Sequence, residues 1–279
     1  VYNLFTTEKR FARSFSYVAQ GYLRGINSMK NNIAKLAILL VGASVTASAM
    51  AISPYSQNFE GLSAGASNAL SADGWLVGAN VFSSGGAYLY GYFAFPAPNN
   101  NLGGGGFSAL AGGEGGANQG SKYMNVYSDY NNQGAHTAGD IVESFVFQER
   151  TFTAADLGLT YNFKFDYKAP SGGGPAGATT TSAFMKVLDP ANGYATLANP
   201  VLNTTSASTS TWSEGNMLSI TVDSSWTGKI LQFGFSNKAS NNQASGMYYD
   251  NISLTPVPEP ATMTVLALGV AAALKRRRK

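Results

Sequence analysis

From Tyr161 to Lys168 the chain alternates without a break. Tyr161, Phe163, Phe165 and Tyr167 fall on one side of an extended backbone, and Asn162, Lys164, Asp166 and Lys168 fall on the other. A period of two is the mark of a half-buried strand; a helix would scatter the same rings around its axis. Runs of similar character span Trp75–Phe82, Lys122–Tyr130, Ile141–Phe152, Ala183–Leu188, Met217–Val222, Lys229–Phe235 and Met247–Leu254. Turn signals separate them: Asn99-Asn100-Asn101, Gly103 to Gly106, Asn131 to Gly134, Ser171 to Gly174 and Ser240-Asn241-Asn242. No amphipathic helix of useful length interrupts the series. The pattern predicts an all-β sandwich over residues 52–256. A jelly roll is the expected form, because two packed sheets protect their edges. The Gly-rich stretch from Leu102 to Gly120 reads as a long surface loop inside one domain.

Both flanks have a different grammar. From Met29 the chain reads MKNNIAKLAILLVGASVTASAMA. Lys30 and Lys35 precede an apolar run from Leu36 to Val45, and Ala47-Ser48-Ala49 and Ala49-Met50-Ala51 are small-x-small triplets. Residues 29–51 therefore form a secretory signal peptide, helical in its apolar part and cut by signal peptidase at Ala49 or Ala51. The apolar run is shorter than the ~20 residues of a membrane span. Residues 1–28 are expected to be an extension upstream of a true start at Met29. At the other end, Pro258-Glu259-Pro260 precedes a hydrophobic helix-forming stretch from Ala261 to Leu274 and a basic cluster from Lys275 to Lys279. A basic end is retained in the cytoplasm. With the N-terminal side exported, this helix would hold a membrane-tethered precursor before processing.

Charge follows the same division. The whole chain carries +3, yet between Ile52 and Pro256 seven basic residues face thirteen acids, a net of −6. A domain of that sign does not neutralise phosphates, so no nucleic-acid partner is expected. It attracts divalent cations instead. The chain has no cysteine, which removes disulfides, thiolate nucleophiles and Cys-based metal sites. Its one histidine, His136, lies in a loop-like Asn/Gln/Gly segment, so neither a multi-histidine site nor a Ser-His-Asp triad is expected.

The acids Asp140, Glu143 and Glu149 lie on or beside one strand. Glu143 and Glu149 share a face with Phe145 and Phe147, but six residues of extended chain separate them by about 20 Å. Hydrolysis by paired carboxylates needs them ~5–10 Å apart across a sugar. Asp129 or Asp166 from a neighbouring strand could complete such a pair. The Gly103–Gly106 run lacks the Lys-Ser/Thr that a phosphate loop requires. Aromatics point elsewhere: sugars stack on flat rings that stand beside amides and carboxylates. Tyr88, Tyr90 and Tyr92 lie on one strand face, and Trp212 sits between a Ser/Thr run and Ser213-Glu214-Gly215. These four are the candidate sugar-binding residues; Trp75 and Trp226 adjoin apolar strands and are expected in the core.

The tail resembles the PEP-CTERM sorting signal of Gram-negative bacteria over residues 257–279. The residues that carry the resemblance are Val257, the motif Pro258, Glu259 and Pro260, the Ala/Leu/Val stretch with Gly269, and Arg276, Arg277 and Arg278. It implies cleavage near the motif by an exosortase and delivery to the cell surface or extracellular matrix, often beside exopolysaccharide and biofilm production. Asn58-Phe59-Glu60-Gly61 and Gly246-Met247-Tyr248-Tyr249-Asp250-Asn251-Ile252 resemble the opening and closing strands of galactose-binding-like jelly-roll carbohydrate-binding modules. That resemblance implies a structural calcium held by Glu60, Asp250 and carbonyls near Gly61, an oxygen set of the kind calcium takes. The expected function is a non-catalytic, exosortase-processed matrix protein that binds polysaccharide. A glycan hydrolase using the strand carboxylates and a purely structural matrix protein are the alternatives.

Overall fold

A computed structural model describes residues 50–66, 68–96, 106–128, 139–240 and 243–257. Its strands are β1 Tyr55–Gln57, β2 Leu76–Phe82, β3 Tyr88–Ala94, β4 Ser108–Gly112, β5 Lys122–Val126, β6 Ile141–Thr151, β7 Thr160–Lys168, β8 Thr180–Asp189, β9 Ala195–Ala198, β10 Val201–Asn203, β11 Ser213–Thr221, β12 Ile230–Ser240 and β13 Met247–Val257. They form two antiparallel sheets. The first runs β11-β7-β13-β5-β4, with β1 added to β13; the second runs β10-β8-β12-β6-β2-β3, with β9 added to β8. The first strand thus pairs with the last, Tyr55 opposite Leu254. This is the all-β, jelly-roll-type sandwich that the alternation predicts. Among the described residues the one α-helix is Ala69–Ala72, and no helix is long and apolar enough to cross a membrane. The hydrophobic stretch 261–274, the sorting motif and residues 29–49 of the signal peptide, Ala49 included, lie outside the described residues.

The core is the meeting of the two inner faces. Phe163 and Phe165 of β7 lie edge-on or tilted to Phe233 and Phe235 of β12, with ring centroids 5.4–5.6 Å apart. Tyr249 of β13 stacks on Phe235 at 3.6 Å, and its buried hydroxyl is satisfied by Thr204 at 3.0 Å. Trp75 is fully buried beside Phe59 and Phe235, as expected, and Trp226 is partly buried against Phe152. Asn237, also buried, donates across the interface to the Val126 carbonyl at 2.8 Å. Its side-chain nitrogen is paired there, while its side-chain oxygen has no hydrogen-bond partner among the described residues.

Two expectations are corrected. The Gly-rich stretch 102–120 is not all loop: Ser108–Gly112 pairs with β5 as an edge strand, Leu110 opposite Met124. The short edge strands β1, β9 and β10 lack enough residues to show a period. Asp166 and Lys168, placed by alternation on a solvent face, are buried. The turn between β4 and β5 and the start of β11 roof that end of the sheet.

Candidate functional site

The outer face of the seven-stranded sheet collects aromatic and charged side chains in cross-strand rows. Gly78 of β2, Phe145 of β6 and Ser236 of β12 form one row; Asn80, Glu143 and Lys238 form the next. The outward residues of β8 add Phe184 and Lys186, opposite Gly234 and Gln232. Lys186 Nζ stands 4.9 Å and 5.2 Å from the ring centroids of Phe145 and Phe184, and Lys238 Nζ stands 4.5 Å from that of Phe82. Such placement favours the cations through the ring quadrupoles. Burial against these rings lowers the Lys186 pKa, while the negative charge of Glu143 acts the other way. Glu143 also accepts from Asn80 Nδ2 at 3.4 Å, and Glu149 accepts from Gln232 at 3.0 Å.

At the β2–β3 edge the face opens to solvent. Phe93 is 85% exposed and Tyr88 61%. A Cβ on Gly78 would stand 3.5 Å from the Phe93 ring, and one on Gly91 would stand 3.0 Å from Asn80 Oδ1 and 3.1 Å from the Tyr88 hydroxyl. The two glycines therefore leave a floor on which both rings lie, with the Asn80–Glu143 pair beside them. Phe82 braces Tyr88 edge-on at 5.8 Å.

The tyrosine stripe is split by a register shift between Val81 and Phe82. Tyr90 and Tyr92 pair with Val81 and Ala79, which are buried in the interior, and Tyr92 packs against Phe107. Past the shift Tyr88 pairs with Phe82 and joins the outer face. Of the three expected platform residues only Tyr88 is on it; Tyr90 and Tyr92 belong to the inner side. Phe93, Phe82, Phe145 and Phe184 were missed, because an outward phenylalanine in a strand cannot be told by its spacing from an inward one.

Trp212 lies elsewhere, on the six-stranded sheet, in an open cleft of about 690 Å³ lined with Glu114, Gln119, Lys168, Thr211 and Glu214 among others. It is half-buried. Its indole N–H donates to the Glu114 carbonyl at 3.0 Å, and Tyr123 meets it edge-on at 5.4 Å. Lys168 pairs with Glu114 at 2.5 Å, and the Ser171 amide donates to the same carboxylate at 2.9 Å. Burial would raise the Glu114 pKa, but these donors outweigh it and hold the carboxyl below its ordinary value.

Behind the cleft Glu60 and Asp250 approach one network. Glu60 Oε1 accepts from the amides of Ser121 and Lys122 at 2.7 and 2.6 Å, and Oε2 from the Ser121 hydroxyl at 2.8 Å. The carbonyls of Glu60 and Leu62, on either side of Gly61, both accept from Lys122 Nζ at 2.8 and 2.7 Å. An ammonium thus occupies the carbonyls expected to face calcium. Asp250 is fully buried. One of its oxygens accepts from the Asn251 amide at 2.6 Å; the other, like Gln119 Oε1, has no hydrogen-bond partner among the described residues. Burial, then the charges of Asp166 and Glu60, push its pKa up to about 7. Asn251 occupies the left-handed region (φ 48°) at a register shift in β13, a conformation asparagine tolerates. Its side-chain nitrogen donates to Asp166 at 2.7 Å. Among the described residues no group of three or more His, Asp or Glu is arranged to hold a metal.

The strand acids do not converge. Glu143 and Glu149 share the outer face of β6, as expected, but the Phe145 and Phe147 rows lie between them. Asp140 is buried just before the strand. Asp166 belongs to the opposite sheet and is engaged by Gln119, Gly215 and Asn251. Asp129 and His136 lie outside the described residues.

Fold and tail together define an exported β-sandwich protein with a C-terminal sorting signal. Residues 256–279 match the family model described as the PEP-CTERM protein-sorting motif, and the motif marks an exported protein. Similar solved structures are jelly-roll carbohydrate-binding modules. One is TmCBM61 in complex with β-1,4-galactotriose, at 16% identity over 53% of this chain and 81% of that one, TM-score 0.32. Another is the C-terminal family 22 module of Clostridium thermocellum Xyn10B, at 13% identity over 72% and 91%, TM-score 0.33. A third is the Caldicellulosiruptor saccharolyticus CBM27-1 complex with mannohexaose, at 10% identity over 72% and 96%, TM-score 0.35. No curated protein matches the chain.

Proposed function

We propose that this is a non-catalytic matrix protein, processed by an exosortase at its tail, that binds an extracellular polysaccharide on the outer face of its seven-stranded sheet. The observation that carries the reading is the pair of exposed rings, Tyr88 and Phe93, lying over glycines beside the Asn80–Glu143 pair. Rings of this kind take the apolar face of a pyranose, and the amide and carboxylate take its hydroxyls. Lys186 and Lys238 on the same face would also accept an acidic sugar. The spread of Glu143, Glu149 and Asp140 favours binding over hydrolysis. In this reading Lys122 does the work that calcium would do, tying the segment after β1 to β5.

The Trp212 cleft is a second place for a sugar, favoured by its half-buried indole and its carboxylates. A panel of polysaccharides, the producing cell's own included, tests the proposal by titration calorimetry on the purified protein. Binding lost on Tyr88→Ala and Phe93→Ala supports it. Binding lost on Trp212→Ala alone moves the site to the cleft. No binding to any polysaccharide leaves the structural matrix role, and release of reducing ends would make the protein a hydrolase.

A further inference from the structure

The buried carboxylate of Asp156 is used by nothing described so far. It is fully buried and accepts four hydrogen bonds: from the Thr153 amide at 2.6 Å, the Thr153 hydroxyl at 2.8 Å, the Tyr161 hydroxyl, and the backbone nitrogen of Ile52 at 2.7 Å. Among the described residues it has no ion pair. A buried carboxylate without a counter-ion is costly even when well hydrogen-bonded. Ile52 is itself buried in the core cluster, so its side chain fixes where its nitrogen sits. The nitrogen that meets Asp156 is the one that cleavage after Ala51 would turn from an amide into an α-ammonium. The chain before it is held more loosely. Met50 is 81% exposed, and its carbonyl lies 3.0 Å from the Thr153 hydroxyl, whose single proton it shares with Asp156.

We propose that signal peptidase cuts between Ala51 and Ile52, and that the new α-ammonium of Ile52 docks as the counter-ion of Asp156, locking the mature N-terminus to the sandwich. Hydrolysis of the peptide bond leaves a carboxylate on Ala51 and an amine on Ile52, which is protonated near neutral pH. The amine keeps the existing contact and gains two further N–H donors and a positive charge. Cutting occurs before the domain closes, since the buried Ile52 would not reach a protease afterwards. The alternative cut after Ala49 would place the charge on exposed Met50, two residues before the nitrogen that meets the carboxylate. Asp156 and Tyr161 are the titratable groups that face the amine, and no basic side chain does so among the described residues. An ammonium paired with a carboxylate has a raised pKa. Its stabilisation is therefore complete below about pH 8, the ordinary α-amine value, and is lost as pH rises through the raised one.

This inference rests on the signal-peptide reading of residues 29–51, and the test separates the two. The full chain is exported from a bacterial host and the N-terminus of the released protein is sequenced. A first residue of Ile52 is expected. Met50 would overturn the proposal while sparing the signal peptide, and retention of residues 29–51 would overturn both. On the released protein, acetylation of the α-amine at pH 8 is expected to run at least about fivefold slower in the native state than in urea, the effect of one unit of pKa on an amine that is half protonated at that pH. Equal rates would overturn the clamp. Between pH 8 and 11 the native protein should lose a step of thermal stability that Asp156→Asn lacks, and an identical step in the variant would count against the pairing. If the variant does not fold, the acetylation rates decide alone.

Discussion

Removing the rings of Tyr88 and Phe93 separates binding from folding more cleanly than any other change on this face. Both side chains are mostly exposed, 61% and 85%, so truncation to alanine uncovers little core. Stability should stay within about 0.5 kcal/mol of the parent, the usual range for surface changes. Binding should not. A pyranose lying flat on one ring covers about 70 Å² of apolar surface, and at ~25 cal/mol per Å² that is worth roughly 1.8 kcal/mol. Each single variant should therefore weaken Kd by about twentyfold, since 1.4 kcal/mol is a factor of ten. Tyr88→Phe keeps the ring and should keep most of the affinity. The double variant should lose less than the product if one sugar unit bridges both rings, because groups that share a partner are not additive. Calorimetry against the tightest-binding polysaccharide gives Kd, and circular dichroism melting reports the fold. A folded double variant with unchanged Kd would refute the platform argument, whatever Trp212→Ala does.

Other consequences follow from closer packing. A Cβ on Gly234 would stand 2.2 Å from the Val146 carbonyl oxygen and 2.6 Å from Phe147 Cα. Gly234→Ala should therefore cost about 3 kcal/mol of stability and lower Tm by about 6–12 °C; a melt within 1 °C of the parent would mean the β6–β12 spacing is wrong. Chelation by EDTA should leave Tm unchanged because Lys122 Nζ holds the two carbonyls, whereas Lys122→Ala should lower it. A parent melt that falls by several degrees in EDTA would give that role to a bound cation. Glu114→Gln leaves Lys168 a buried charge without its partner and should cost roughly 3 kcal/mol at neutral pH. Because the folded-state pKa of Glu114 is lowered, its contribution is present above about pH 4 and is lost as pH falls through the folded value. The acid arm of a Tm–pH curve should flatten in the variant, and an unchanged arm would show that the ion pair adds nothing.

What could be read from the chain in advance depended on how local its physics is. The core strands were legible because inward apolar side chains recur at alternate positions, most plainly in the four rings from Tyr161 to Tyr167. The cost of exposing those rings is the same whatever the sheet order. The edge strand Ser108–Gly112 was not, because Ser, Ala and Gly carry little hydrophobic contrast and the ladder to β5 comes from the partner strand. Asp166 and Lys168 obeyed the alternation and still ended up buried, because cover from the β4–β5 turn and from Gly215 is a tertiary event. Tyr88 was separated from Tyr90 and Tyr92 by one register shift opposite Phe82, which no spacing rule shows.

The sequence by itself determined that the chain is all-β, that its middle is acidic, that it lacks cysteine and histidine clusters, and that its last two dozen residues form a sorting signal. These are properties of composition and short-range order, and they survive any arrangement of the sheets. Only the tertiary structure decided which face of each strand meets solvent. It split the tyrosine stripe, set Lys122 on the carbonyls flanking Gly61, and brought the nitrogen of Ile52 to Asp156 across a sequence separation of 104 residues. Contacts of that range are fixed by the pairing of the first strand with the last and by the closing of one sheet on the other. The residues that meet carry no local mark of the meeting.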